Sequence, residues 1–303
     1  MKATVNAHIN ELCEHGLTKS EARIVLSEYL GKDRVGHYSH GTSALPNFLK
    51  RLKERKGPMS IIKDSGPVVY IDGCKELGQL VAEKATEILI KKTRHYGIGL
   101  VGIRDILPFS SPGTYVKKLA DKSLFGLGMI DGGRPMVAHP NSYQPVIGTN
   151  PIAFAFPTST GSLVVDMATS KKAWGEVRQA LLHKTKLPPQ TYKNKLGRYT
   201  RDPKQAFSVV PFGDYKGFAL GMMVEILCGS FLGMKMGKHK PAKNNVAKSR
   251  SAIFIAINPS RFVSINKFKR DVTLFIKEIK SSKRNKGVKL LRIPGESTVR
   301  LRP

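Results

Sequence analysis

GTNPIAFAFPTSTGSLVVDMATS, residues Gly148–Ser170, decides how the rest of the chain is read. Two apolar runs within it, Ile152–Phe156 and Ser162–Asp166, are rich in β-branched and aromatic residues and read as strands. Pro157 and Gly161 place a turn between them, so the pair is a hairpin. Its polar residues stand at the ends: Thr149 and Asn150 before the first strand, Asp166, Thr169 and Ser170 after the second. Strand ends are where a rigid sheet presents side chains for chemistry. The pattern alone allows two readings, a buried hairpin with polar turn residues or a sheet end that carries a site.

Working outward, Thr18-Lys-Ser-Glu21 is a capping box, which predicts a helix from about Ser20 to Gly31. A second helix carries Leu45, Phe48, Leu49 and Leu52 on one face, with Pro46 in its first turn. Lys56–Gly66 reads as a boundary, Pro67–Asp72 as a strand, and Leu77 to Leu89 as the apolar face of a long helix ending at Gly97. Ile98–Ile103 and Phe125–Ile130 are further strands. Gly97–Gly102 matches GxGxxG, but a helix precedes it and a strand follows, the reverse of a dinucleotide fingerprint. A helix C-cap running into a strand is the better reading. Beyond the hairpin the expectations are a short helix from about Lys172, a polar loop at Gly197–Pro203 and an apolar helix at Gly217–Gly229. A basic loop at Met234–Ser251, a strand at Ala252–Asn258, a charged helix at Asn266–Lys280 and a linker at Ser281–Lys289 complete the chain.

Composition bounds the class. The 303 residues can bury a sizeable core, and 41% hydrophobic content is ordinary for a globular protein. MKATVNAHIN has no apolar signal core, and Gly217–Met234 is interrupted by Glu225, so no secretory peptide or membrane span is expected. The three cysteines, Cys13, Cys74 and Cys228, form no CxxC, which fits a reduced, cytoplasmic setting. The net charge of +29 is unusual and attracts anions: nucleotide cofactors, carboxylate substrates or nucleic acid. From Phe231 onward there are 19 Lys/Arg against 3 Asp/Glu, with no RNP motif, zinc-finger spacing or basic zipper. A Lys-rich solvated surface is the simpler reading, and no specific nucleic-acid partner is expected. The eight histidines show no HExxH spacing, so no metal is implied.

GTNPIAFAFP followed by DMATS resembles the type 2 malate/L-lactate dehydrogenase family, which includes sulfolactate and ureidoglycolate dehydrogenases and cyclic-imine reductases. SHG at Ser39–Gly41, PFGDYKGFAL at Pro211–Leu220, and FIAINP with RIPGE ending at Glu296 agree in order and spacing, so the resemblance spans nearly the whole chain. It implies an α/β, non-Rossmann nicotinamide-binding fold with a central mixed sheet (66–224) and a helical, dimerising part made from both chain ends (1–65 plus 225–303). It implies a cytoplasmic homodimer using NAD or NADP on a small anionic substrate, a 2-hydroxy/2-oxo acid or a related cyclic imine.

The resemblance also assigns residues. Hydride transfer needs a proton donor, and His40 beside Ser39 fills that place. Glu176 stands where cyclic-imine reductases carry an acid and other relatives a lysine, and it would orient and charge His40. Without the resemblance His40 reads first as a loop-capping histidine. Cofactor contacts are expected at Phe109, Ser110 and Ser111, at Asp166, Met167 and Ala168, at Lys216 and Gly217, and at Gly295 and Glu296. Ser111 reads as a helix N-cap with Pro112 at the first helical position, a natural phosphate site. Thr149 is expected at the substrate.

This chain departs from the pattern at Ala44, where an arginine that grips the substrate carboxylate is usual, and at Pro108, where some members carry a histidine base. Asn141-Ser142 replaces the usual pair of glycines, and Asp214 replaces a glycine. Alanine cannot make a bidentate contact, so either the substrate differs or a different cation, such as Arg134 or His139, compensates. The competing expectation is an impaired member of the family that binds nucleic acid or another anionic partner.

Overall fold

In the computed structural model, which describes residues 2–34, 36, 41–240 and 249–296, the chain opens with helices α1 (Lys2–Glu14), α2 (Lys19–Arg34) and α3 (Leu45–Leu52). Strands β1 (Ser60–Ser65) and β2 (Val68–Asp72) lead into α4 (Gly78–Tyr96), β3 (Ile98–Ile106), α5 (Gly113–Asp121) and β4 (Phe125–Ile130). The short strands β5 (Val137–Ala138) and β6 (Pro145–Ile147) precede the hairpin β7 (Ile152–Thr158) and β8 (Gly161–Met167). Then come α6 (Gly175–Leu182), β9 (Tyr192–Lys193), β10 (Tyr199–Thr200), β11 (Ser208–Val209), α7 (Tyr215–Cys228), β12 (Arg250–Ile257) and α8 (Ile265–Ser281).

Seven strands make one mixed sheet in the order β1-β2-β3-β12-β4-β7-β8. Only β2 and β3 run parallel, joined over one face by α4, and β12 pairs antiparallel with both β3 and β4. Alternation in β12 fixes the two faces. Ala252, Phe254 and Ala256 join a core with Val81, Ala85 and Leu89 of α4 and Tyr115, Val116 and Leu119 of α5. Ile253 points the other way, into a cluster with Met129, Ile152 and Val224 and Cys228 of α7. The helices α1–α3 form their own core around Leu12, Val25, Leu26 and Phe48, closed by Leu77 and Leu107.

The hairpin forms as read, and the helix ends obey their caps. Thr18 Oγ1 accepts the Glu21 N–H at 3.2 Å while Glu21 Oε2 accepts the Thr18 N–H at 2.8 Å, although α2 runs on to Arg34. Gly97, at φ 85°, caps α4 in the left-handed region and runs into β3, so the GxGxxG match is a C-cap.

Several expectations are corrected. Lys56–Gly66 is no mere boundary, since β1 lies within it as an exposed edge strand whose polar pattern hides a strand from sequence inspection. Chain beyond residue 225, expected on the helical side, supplies β12 to the middle of the sheet, where its apolar run is buried on both faces. The five-strand sheet β10-β9-β11-β5-β6 was not foreseen. Its strands are two or three residues long, too short to show a period, and β10 falls inside the expected Gly197–Pro203 loop. α1 lacks a cap signal. Residues 241–248 of the expected basic loop lie outside the described residues.

Candidate active site

The hairpin's polar ends are fixed from below by Asn150, which is fully buried at φ 36°. Asparagine tolerates this left-handed backbone better than most residues. Its Oδ1 accepts the Gly132 N–H at 2.9 Å, and its Nδ2 donates to Gly221 O and Glu225 Oε2, both at 2.8 Å. The start of β7, the end of β4 and α7 are thereby tied together. Behind them Lys240 Nζ reaches Asp131 Oδ1 and Glu225 Oε1, each at 2.6 Å, in a nearly dry ion group. Burial would raise the Glu225 pKa, but the Lys240 charge and the Gly237 N–H bring it below the usual range.

Above this support lies one cavity of about 2680 Å³. A site for one small ligand is typically a few hundred to about 1,000 Å³, so there is room for a dinucleotide and a substrate together. Phe109, Ser110 and Ser111 line it, as do Asp166, Met167 and Ala168, and Gly295 and Glu296. Thr149, Arg134 and Glu176 line it too, so three separate chain segments and both hairpin ends meet as the sequence suggests. Lys216 and Gly217 do not line it. Lys216 is exposed in the first turn of α7, and Gly217 is buried against the backbone of Phe212 and Thr169, so its role here is close packing. Ser39 and His40 lie outside the described residues.

Asp166 is the centre of one end. Lys32 Nζ donates to its Oδ2 at 2.7 Å, and Ser111 Oγ donates to the same oxygen. Ser111 Oγ also accepts the Gly113 N–H at 3.1 Å, so it caps α5, whose first helical residue is Gly113, one later than expected. Gly113 has to be glycine, because a Cβ there would strike the Asp166 side chain. Beneath, the Ser110 and Ser111 N–H groups donate to Glu28 Oε1 at 3.2 and 3.3 Å. Burial pushes the Glu28 carboxyl up to about 7, against the pull of Lys32 and those N–H donors. The start of α5, expected as a phosphate site, is thus already faced by two carboxylates.

Ala44, Arg134, Trp174 and Glu176 also line the cavity. The Arg134 guanidinium sits over the Trp174 ring at 5.2 Å. Glu176 Oε1 takes Lys172 Nζ at 3.2 Å as its partner. His139 does not line the cavity; it packs edge-on against Phe218 and receives the Asn141 N–H at 3.2 Å. Of the two substitute cations expected, only Arg134 lines the site.

Sequence inspection missed Lys32 and Glu28. Their one signal is a pair of charged residues, one turn apart, on a face of α2 that carries Val25 and Tyr29, where a solvated face would not place them.

A model of the malate/L-lactate dehydrogenase family matches residues 3–303. The chain is 35% identical over 277 residues to malate/(S)-sulfolactate dehydrogenase of Methanothermus fervidus, covering 88% of this chain and 81% of that protein. It is 27% identical over 297 residues to ureidoglycolate dehydrogenase (NAD(+)) of Escherichia coli, covering 95% of this chain and 84% of that one. The solved sulfolactate dehydrogenase of Methanocaldococcus jannaschii superposes with a TM-score of 0.86 at 32% identity, over 96% of this chain and 86% of that one. The fold is the non-Rossmann, mixed-sheet α/β fold of these enzymes, and the chain is an oxidoreductase using NAD or NADP. It belongs to the malate/L-lactate dehydrogenase family.

Proposed function

We propose that the protein interconverts a small 2-oxo acid and its 2-hydroxy acid in this cavity. The observation that carries the reading is the convergence on one cavity of Thr149 from one hairpin end, Asp166–Ala168 from the other, and the Phe109–Ser111 loop. The residues fit a dinucleotide. Ser110 Oγ is buried without a partner among the described residues, and a Cβ at Gly295 would fill space against the β8 backbone. When bound, the nicotinamide gives or takes a hydride.

Asp166, held by Lys32 and Ser111, accepts hydrogen bonds from ribose hydroxyls. A phosphate in that place would meet the charge of Asp166, and the Ser110 and Ser111 N–H groups already donate to Glu28, so hydroxyls suit the start of α5 better than the expected phosphate does. Thr149 and Arg134 hold the substrate. His40 supplies the proton, with Ser39 beside it, and Glu176 tunes it. A cyclic imine is the second reading, favoured by Glu176, an acid, at the position where other relatives carry lysine.

Calorimetry with NADH and NADPH, followed by a panel of 2-oxo acids and cyclic imines, tests this. Absence of binding to either cofactor at millimolar concentration rejects it. His40→Ala lowers turnover about a hundredfold to ten-thousandfold with cofactor affinity nearly unchanged. Retained turnover would move the proton donor elsewhere.

The homodimer is part of the same reading. Met222, Met223 and Ile226 line up at helical spacing on the exposed side of α7. The segment Tyr215–Leu232 is long and apolar enough to cross a membrane, but Glu225, buried in its ion group with Lys240, anchors the opposite face in the protein. A second copy of this chain covers the stripe. The basic C-terminal third is a solvated surface, with no specific nucleic-acid or membrane partner, and the setting is cytoplasmic.

A further inference from the structure

Glu28 is a buried carboxyl that the reaction itself does not use. It sits on α2, 1% exposed, behind the cavity wall and not in it. The segment in front of it runs from Pro108 to Pro112, and neither proline has an N–H to give. Of the Phe109, Ser110 and Ser111 N–H groups between them, the last two both end on Glu28 Oε1, at 3.2 and 3.3 Å. One turn further along α2, Lys32 donates to Asp166 Oδ2 at 2.7 Å. Ser110, Ser111, Lys32 and Asp166 all line the cavity. Two side chains of one helix thus hold two of the expected cofactor contacts.

The second oxygen of Glu28 decides the form of the carboxyl. Oε2 is buried with no hydrogen-bond partner among the described residues, as are Ser110 Oγ and both polar atoms of the Gln79 amide. Gln79 stands in the first turn of α4, near enough to act on Glu28 and Tyr29 but outside hydrogen-bond geometry. As a carboxylate, Glu28 leaves a charged oxygen with neither a donor nor solvent. As a neutral carboxyl it has an O–H to give, with Gln79 Oε1 and Ser110 Oγ as acceptors near it. Two N–H donors and the Lys32 charge favour the carboxylate, but burial outweighs them and raises Glu28 to about 7. Its other titratable neighbours are Tyr29 on α2, Tyr115 on α5 and, through Lys32 and Ser111, Asp166 on β8. Tyr29 also feels Arg51 of α3, and Tyr115 feels Glu83 of α4. Burial moves both tyrosines away from neutrality and Glu28 towards it.

We propose that Glu28 is a positioning residue for the cofactor: as a neutral carboxyl it holds Ser110 and Ser111 and leaves Lys32 to Asp166, so that cofactor binding takes up a proton near neutral pH. Without that proton, the Glu28 charge competes with Asp166 for Lys32, which is one turn away on the same helix, and Asp166 loses a partner that orients it. On this assignment, which rests on the reading of Ser110, Ser111 and Asp166 as cofactor contacts, the bound cofactor raises the Glu28 pKa above its value in the free protein. Affinity is then full below about 7 and falls as pH rises through the value in the complex.

Calorimetry with NADH between about pH 6 and about pH 8.5, in buffers of unlike ionisation heat, tests this. Wild-type affinity should fall about threefold to tenfold across the range, with up to about one proton taken up per NADH bound. Glu28→Gln keeps an acceptor and cannot ionise, so its affinity should change little with pH and the uptake should vanish. Glu28→Met fills the same space without an acceptor and should bind more weakly at every pH. His40→Ala should keep the wild-type pH dependence. A wild type without pH dependence, or the same dependence in Glu28→Gln, overturns the assignment. So does its loss in His40→Ala, or full affinity in Glu28→Met. If NADH does not bind at all, the cofactor reading fails, and amide exchange in the free protein still decides whether Glu28 holds the segment. Ser110 and Ser111 should be protected in the wild type and Glu28→Gln, and about tenfold less so in Glu28→Met. Equal protection in all three removes Glu28 as the holder.

Discussion

Two residues carry conformational or electrostatic strain that measurement can expose. Asp214 opens α7 at φ 56° and ψ −122°, a region that disfavours any Cβ. Asp214→Gly should stabilise the fold by about 1 kcal/mol in urea or thermal unfolding; equal or lower stability would mean that its charge at the helix start outweighs the strain. Glu28 is nearly inaccessible, and burial raises its pKa from 4.5 to about 7. The folded form thus holds a proton that the unfolded form releases. Stability from this group is greatest below about 4.5 and declines as pH rises towards 7. Glu28→Gln keeps an acceptor for the Ser110 and Ser111 N–H groups without the charge. It should gain roughly 1–3 kcal/mol at pH 8 and little at pH 4.5. A gain that does not change with pH would assign the effect to packing.

At the scale of elements, the start of α5 and the end of β8 are coupled through the Ser111 hydroxyl. Ser111 Oγ caps α5 and holds Asp166 at the end of β8. Ser111→Ala should cost about 1 kcal/mol as a lost cap and should also weaken NADH binding, because Asp166 then has Lys32 alone to orient it. Ser111→Thr should recover much of both. Stability lost without any change in NADH binding would separate the cap from the site. α7 itself is apolar nearly all round: one face meets Met129, Ile152 and Ile253, while Met222, Met223 and Ile226 are exposed in the single chain.

For the whole molecule, the exposed α7 stripe and the +29 charge make different demands. Ile226 is 47% exposed in the single chain, and Ile226→Asp should convert a dimer to a monomer in analytical ultracentrifugation. A wild type that is monomeric at micromolar concentration would discard the dimer. The charge should produce binding to any nucleic acid at low salt, falling steeply as salt rises. A sequence preference that survives physiological salt would reverse the reading of the basic third as solvated surface.

The residues by themselves determined the hairpin, the helices with caps and the strands with long apolar runs, because those signals are local and repeat with the period of the element. They also marked Asp166, Thr149 and Ser111, since polar residues at the ends of apolar strands and at helix starts stand out in a one-dimensional reading. The resemblance added order and roles to them. Tertiary structure alone decided that β12, late in the chain, lies between β3 and β4, because strand order depends on which apolar faces pack together. It alone showed that Lys216 stands away from the cavity and that Lys32 and Glu28 stand at the Asp166 end. A surface lysine and a site lysine look alike in sequence; the difference is which neighbours the fold brings to them.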